Sequence, residues 1–341
     1  MLNVLTQVPP ALLDARPQDL ADVLGGPTLF HLTGAREPAL FVSVLLHGDE
    51  TTGFEAIQRI LRATRRDDGA FALPRSLSLF IGNVAAAKHS VRRLPSQPDY
   101  NRVWSGDVFG DCPEKRMMQD ITATMKTRGV FASIDIHNNT GRNPHYGCIN
   151  HPRPEFLALA GMFSPTAVFF RRPAEVQSMA FADFCVAVTV ECGQARERNA
   201  VDHAERYLMA CLALDALPQP APDALNSISL FHTVAVVKVP RTAEIAVAPA
   251  RADLAFNPQL EDTNFQVVPS GSVFASTGTG KRVDLEVTDD AGRDVGARYF
   301  GWVGDELRLK QDVIPSMLTT DEQAIRQDCL CYIMERYPLA R

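Results

Sequence analysis

The chain reads as an α/β protein: a central sheet with helices on both faces, followed by a smaller β-rich domain. Three observations predict this. Residues 40–46 (Leu40-Phe41-Val42-Ser43-Val44-Leu45-Leu46) form an apolar run with almost no polar alternation, the pattern of a central strand covered on both sides. Strand-like and helix-like segments alternate through the first two thirds of the sequence. Then Leu217-Pro218-Gln219-Pro220-Ala221-Pro222-Asp223 brings three prolines into a polar context, and beyond it the texture changes to short β-type runs separated by Gly, Pro, Asn and Asp. A length of 341 residues accommodates two domains. The expected division is an α/β domain over 1–216, a linker over 217–225 and a β-rich domain over 226–341.

In order, the pattern predicts a short helix over 11–24, strands over 28–33 and 40–46 joined by the turn Gly34-Ala35-Arg36-Glu37-Pro38, and a helix over 51–66. A strand over 77–81, a helix over 114–126, a strand over 130–136 and a helix over 155–162 follow. Strands over 168–170 and 186–190 and a helix over 200–214 complete the first domain. In the second, β-type runs cover 234–239, 243–247, 265–268, 283–287 and 299–303. Residues 321–336 place Ile325, Cys329 and Ile333 on one helical face, with Thr319 or Thr320 as caps, which predicts a closing helix.

Composition excludes several function classes. A content of 46% hydrophobic and 22% charged residues is that of a globular protein, and 34 basic against 40 acidic residues leave no electrostatic footprint for nucleic acid. The first residues, Met1-Leu2-Asn3-Val4-Leu5, lack a basic segment followed by a long apolar one, and no apolar stretch is long enough to span a bilayer. A cytoplasmic protein without membrane or nucleic-acid partners is expected, and a homo-oligomer is compatible with this reading. Seven cysteines scattered through a chain of this length read as buried thiols rather than as a disulfide framework. Gly278-Thr279-Gly280-Lys281 lacks the earlier glycine and the following Ser or Thr of a phosphate loop and reads as a turn.

In open α/β sheets, ligands bind beyond the carboxyl ends of the strands, where loops converge on a rigid frame. Two chemically loaded segments occupy that position: His47-Gly48-Asp49-Glu50 after the run 40–46, and His137 after the run 130–136. His and Glu three residues apart at a strand-to-helix turn can reach one ion, and His137 can complete the set from another strand. Two His and one Glu form a zinc-hydrolase ligand set that leaves one coordination position open, so that a water becomes acidic enough to attack a carbonyl. By itself His-x-x-Glu is equally a solvated turn. Glu191 ends an apolar run and reads either as an exposed strand-end carboxylate or as a partly desolvated base at the same sheet edge.

Four motifs in order make the pattern specific: His47-Gly48-Asp49-Glu50, Asp99-Tyr100-Asn101-Arg102, Asp135-Ile136-His137 and Glu191-Cys192-Gly193. Over roughly residues 40–215 the chain resembles the aspartoacylase and succinylglutamate desuccinylase family of the zinc carboxypeptidase clan. The resemblance implies a mixed central sheet and one zinc ion per chain, bound by His47, Glu50 and His137, with Glu191 as the general base. It implies that Asn101 and Arg102 grip a carboxylate of a small-molecule substrate, a task suited to the planar arginine fork. Asp99 would receive the second ring nitrogen of His47 and set its tautomer. Asp135 either does the same for His137 or forms an ordinary ion pair. Arg92, counted forward from Asn83, matches the family arginine that stabilises the oxyanion, with Arg93 as its competitor. His137-Asn138-Asn139-Thr140 looks like the aspartoacylase branch, whereas 141–148 departs from both branches. Tyr299 and Tyr146 are candidates for an aromatic hydroxyl at the site, or packing residues.

The implied activity is zinc-dependent hydrolysis of an amide bond in an N-acyl amino acid or related small carboxylate. The alternatives are a metallocarboxypeptidase acting on peptides, which would need an open groove where the family's β-rich domain resembles a lid, and a catalytically silent small-molecule binder.

Overall fold

The computed structural model describes residues 1–195, 197–220, 225 and 227–339. It divides into two compact units, one of Met1–Asn138 with His145–Ser229, the other of Asn139–Pro144 with residues 230–339. Of the linker expected over 217–225, residues 221–224 lie outside the described residues.

The first unit contains β1 (Asn3–Leu5), α1 (Leu20–Leu24), β2 (Thr28–Leu32), β3 (Ala39–Val44), α2 (Thr52–Thr64), β4 (Leu77–Ile81), α3 (Val84–Ala87), α4 (Pro113–Arg128), β5 (Val130–Asn139), β6 (Tyr146–Ile149), α5 (Pro154–Gly161), β7 (Thr166–Phe169), α6 (Gln177–Ala182), β8 (Ala187–Gln194) and α7 (Arg198–Ala213). The strands lie in the order β1-β2-β4-β3-β5-β8-β6-β7. Strand β3 runs parallel to β4 and β5, whereas β2 and β4, and β6 and β8, pair antiparallel, so the sheet is mixed as expected. Every residue of β3 is buried, which accounts for its unbroken apolar run.

Helices cover both faces. Phe41 of β3 stacks on Phe181 of α6 with ring centroids 4.5 Å apart. On the opposite face α2 approaches so closely that a side chain at Gly53 would come within 2.9 Å of both Val44 and Ile136. The alternation of side chains along β3 and β5 separates the two contacts. It also puts Ser43 and Asp135 on the α6 face, in register with each other.

The second unit carries β9 (Ser229–Lys238), β10 (Ile245–Val247), β11 (Leu254–Phe256), β12 (Val273–Ser276), β13 (Glu286–Asp289), β14 (Phe300–Val303), β15 (Glu306–Leu309), β16 (Ile314–Ser316) and β17 (Cys331–Arg336). Its strands β10-β11-β12-β15-β14 make one sheet, and β9 pairs with β13 and β17. Its core gathers Val237, Leu254, Phe256, Phe274, Leu307, Leu330 and Ile333.

Three expectations need correction. The helix over 11–24 breaks into the 3-10 turns Pro10–Leu13 and Pro17–Asp19 followed by the five-residue α1, because each proline starts a new turn and cannot continue the previous one. The closing helix over 321–336 is helical only over Glu322–Gln327, and its cap is Asp321, which accepts from the Ala324 N–H, not Thr319 or Thr320. Asp328, at φ −134° and ψ −90°, ends it, and residues 331–336 become β17 instead. The spacing of Ile325, Cys329 and Ile333 fits a helix, but Cys331 and Ile333 are both buried, the period of two of a strand. The run 265–268 is not a strand: Phe265 has φ 61° and only Val268 makes an isolated bridge, to Val313.

Candidate metal centre

The site is built where three adjacent strands of the first unit end. Beyond β3 the chain turns through Leu45, a non-glycine residue with φ 55°, into His47. Gly48 then passes so close to α3 that a Cβ would lie 2.2 Å from Ala87 N, so only glycine fits. Asn83 caps α3 by accepting from the Ala86 N–H at 3.0 Å. These constraints lay the His47–Glu50 turn against the sheet edge.

His47, Glu50 and His137 converge there, all buried, with one ligand atom from each within 4.8 Å of the others. The Nδ1 atoms of both histidines face the Glu50 carboxylate, His47 at 2.7 Å from Oε1 and His137 at 2.6 Å from Oε2. The Nε2 atoms point the other way, each to a buried aspartate: His47 to Asp99 Oδ1 at 3.0 Å and His137 to Asp135 Oδ2 at 2.8 Å. Asp99 thus faces the second ring nitrogen of His47, and Asp135 that of His137. Ser43 Oγ donates to the remaining Asp135 oxygen at 2.7 Å.

The electrostatics follow from this bracketing. Burial opposes protonation of His137, but Asp135 and Glu50 raise it well above the usual histidine range. Burial and Arg92 likewise oppose protonation of His47, yet Glu50 and Asp99 raise it. Against the cost of burial, the two histidines hold Glu50 well below the usual carboxylate range. Asp99 is depressed too, burial being outweighed by His47 and Arg92. With neutral imidazoles, three acidic side chains against one guanidinium leave a formal charge that suits a divalent cation. Aspartates on both Nε2 atoms hold the proton there and leave each Nδ1 lone pair for a metal. The residues present thus fit a metal ion.

Arg92 faces this centre. Its Nη1 lies 3.4 Å from Glu50 Oε1 and its Nη2 3.1 Å from Asp99 Oδ2. Arg93 turns away and donates to the Gln97 carbonyl at 3.0 Å. Asn101 is buried, its side-chain nitrogen 3.3 Å from His137 Nε2 and its backbone N–H donating to Asp99 at 2.8 Å. Arg102 is half-buried and donates to the Asn101 carbonyl at 2.9 Å. Glu191, buried within β8, has no hydrogen-bond partner for Oε2 among the described residues. Burial, with Glu50 and Asp135 adding to it against His137 and His47, pushes its carboxyl up to about 7.

Tyr146 pairs directly with Glu191 across β6 and β8, so the two side chains stand on one face. Tyr299 is buried in the second unit, with the Arg298 guanidinium 5.1 Å from its ring centre. Sequence reasoning missed Ser43 and the side chain of Asn138. The signal for Ser43 was its position as the one polar residue in the run 40–46.

A mixed α/β sheet with helices on both faces and a His-Glu-His cluster at its strand ends is the zinc carboxypeptidase-like class of fold. The Succinylglutamate desuccinylase/Aspartoacylase catalytic domain profile matches residues 36–214, and the chain belongs to that family of deacylases. Solved structures agree in fold. A succinylglutamate desuccinylase/aspartoacylase from Rhodobacter sphaeroides is 17% identical with a TM-score of 0.58, the alignment covering 91% of this chain and 89% of that one. Murine aminoacylase 3 is 14% identical with a TM-score of 0.58, covering 89% and 97%. Succinylglutamate desuccinylase from Chromobacterium violaceum is 16% identical with a TM-score of 0.56, covering 89% and 86%. No curated protein matches the sequence. Among the described residues no helix is long and apolar enough to cross a membrane.

Proposed function

We propose that the chain is a zinc-dependent amidohydrolase that removes the acyl group from an N-acyl amino acid or a related small carboxylate. The observation that carries this reading is the convergence of His47, Glu50 and His137 beside a buried carboxylate, Glu191, with an unpartnered oxygen. Family membership narrows the reaction to deacylation. His47, Glu50 and His137 would hold one Zn2+ through the two Nδ1 atoms and the Glu50 carboxylate. Bound zinc supplies Lewis acidity, polarising the amide carbonyl and making a water acidic enough to attack near neutral pH.

The chain's own residues do the rest. Glu191 takes the proton of the attacking water and delivers it to the leaving amine, a task matched by a carboxyl lifted toward neutrality. Arg92, already beside the metal ligands, stabilises the charge that develops on the carbonyl oxygen. Asn101 and Arg102 hold the substrate carboxylate and so fix which carbonyl reaches the metal. Asp99 holds the proton on His47 Nε2. Residues 1–216 form the hydrolase domain in this reading, and 226–341 the accompanying β-rich domain.

Metal analysis, with rates on a panel of N-acyl amino acids and a panel of peptides, tests the proposal. One zinc per chain and hydrolysis confined to the N-acyl panel are expected. Glu191→Gln should keep the zinc and lose about 10²- to 10⁴-fold in kcat. Retention of full activity in that variant would refute the assignment of the base, and preference for peptides would refute the substrate class.

A further inference from the structure

Asn138 follows His137 on β5 and is 5% exposed. Its polar atoms bind two other elements. Oδ1 accepts from the Thr52 N–H at 3.3 Å, and Nδ2 donates to Thr52 Oγ1 at 2.9 Å and to the Gly193 carbonyl at 3.1 Å. Its backbone N–H donates to Glu50 Oε2 at 3.1 Å.

Each partner matters to the site. Thr52 is the first residue of α2, and Thr51 before it makes no side-chain capping bond. The leading N–H groups of a helix have no partner within it, so Asn138 caps α2 from the neighbouring strand. Glu50 lies two residues before Thr52, on the turn that this cap anchors. Gly193 lies two residues beyond Glu191, at φ 71°, one residue before β8 ends at Gln194. One buried amide therefore joins the strand end bearing His137, the turn bearing His47 and Glu50, and the strand end bearing Glu191.

We infer that Asn138 is a positioning residue that holds the His47–Glu50 turn and the Glu191 strand end in one frame. The inference rests on the metal and base reading proposed above. Ligand and base come from different elements, and a displacement of one ångström between them is enough to cost a large factor in rate. Truncating Asn138 removes both side-chain links, leaving only the backbone bond to Glu50, and strands the Thr52 N–H and the Gly193 carbonyl in a buried setting.

The test compares Asn138→Ala and Thr52→Val with the wild-type chain, measuring Zn2+ affinity by chelator competition, melting temperature, and kcat and KM at saturating zinc. Asn138→Ala should fold, bind Zn2+ about 10- to 100-fold more weakly and lose a similar factor in kcat with little change in KM. Thr52→Val loosens only the ligand-turn side: it removes the Nδ2–Oγ1 bond while the Thr52 N–H to Oδ1 bond, the Asn138 N–H to Glu50 bond and the bond to Gly193 stay. It should weaken Zn2+ binding roughly threefold to tenfold while leaving kcat of the zinc-saturated enzyme close to wild type. That separation of affinity from turnover is the supporting result, since general destabilisation would lower both together with the melting temperature. Parallel loss of all three in Thr52→Val, or wild-type zinc affinity and kcat in Asn138→Ala, would overturn the inference while leaving the parent reading intact. If Asn138→Ala does not fold, wild-type zinc affinity in Thr52→Val overturns it. A wild-type chain that binds no zinc overturns the parent reading and this inference with it.

Discussion

The first unit holds two pairs of neighbouring histidines, and they differ in everything but distance. The rings of His47 and His137 lie 5.1 Å apart, and those of His145 and His203 lie 4.6 Å apart. In the first pair every ring nitrogen faces a buried carboxylate, and protonation is favoured despite burial. In the second, His203 Nε2 donates to the Phe163 carbonyl at 2.7 Å and Phe163 packs against both rings. Burial, followed by the charge of His203, lowers His145, with only Glu197 and a bond to the Cys192 backbone opposing. The carboxylates, not the closeness of two imidazoles, separate a candidate cation site from a packed aromatic cluster. Proximity is cheap to achieve in a core, whereas burying several acidic groups together is costly unless positive charge compensates them.

The largest expected effect breaks the first pair. His47→Ala should abolish stoichiometric zinc binding and reduce hydrolysis to background, read by metal analysis and initial rates; retained zinc would dissolve the contrast between the pairs. Next comes pH. In the metal-free chain His47 and His137 keep protons above the usual histidine range, and zinc must displace them. Zinc affinity should therefore rise with pH, roughly tenfold per pH unit for each proton displaced, until the raised values are passed. Calorimetry in buffers of different ionisation enthalpy counts those protons, and an affinity flat from pH 6 to 8 would contradict the bracketing. Stability runs the opposite way: without metal, the contribution of these histidines is complete below about 6.5 and is lost as pH rises through their folded values.

A third test probes the flank of the first pair. Arg102→Lys keeps the charge but loses the fork, so KM for the N-acyl substrate should rise roughly tenfold with a smaller change in kcat. An unchanged KM would remove Arg102 from the carboxylate clamp. The smallest effect belongs to the second pair. His203→Leu removes one hydrogen bond and should cost about 1 kcal/mol of stability, measured by denaturant unfolding, with zinc content unchanged. If zinc were lost there instead, the cluster around His145 would need a chemical role.

Much of this was legible because the signals are local. The run 40–46 announces a strand buried on both faces, and the segments that became β4 and α4 follow from composition and period alone. Strand β6 was hidden in 141–148, whose Gly-Arg-Asn-Pro context reads as loop. Its residues Tyr146, Gly147 and Cys148 become a strand by pairing with β8, a partner more than forty residues away. The helix expected over 321–336 failed for the same reason, since β17 is stabilised by pairing with β9, which local spacing cannot reveal.

By itself the sequence determined the family, the α/β core and the residue types of the site, because ordered motifs and apolar periods are properties of neighbours in the chain. Tertiary structure alone decided that Nδ1 of both histidines faces Glu50 while Nε2 faces aspartate, that Arg92 rather than Arg93 turns inward, and that Asn138 ties three elements together. Which atom points at which partner depends on where strands distant in sequence end in space, and on the demand that every buried polar group find a partner there.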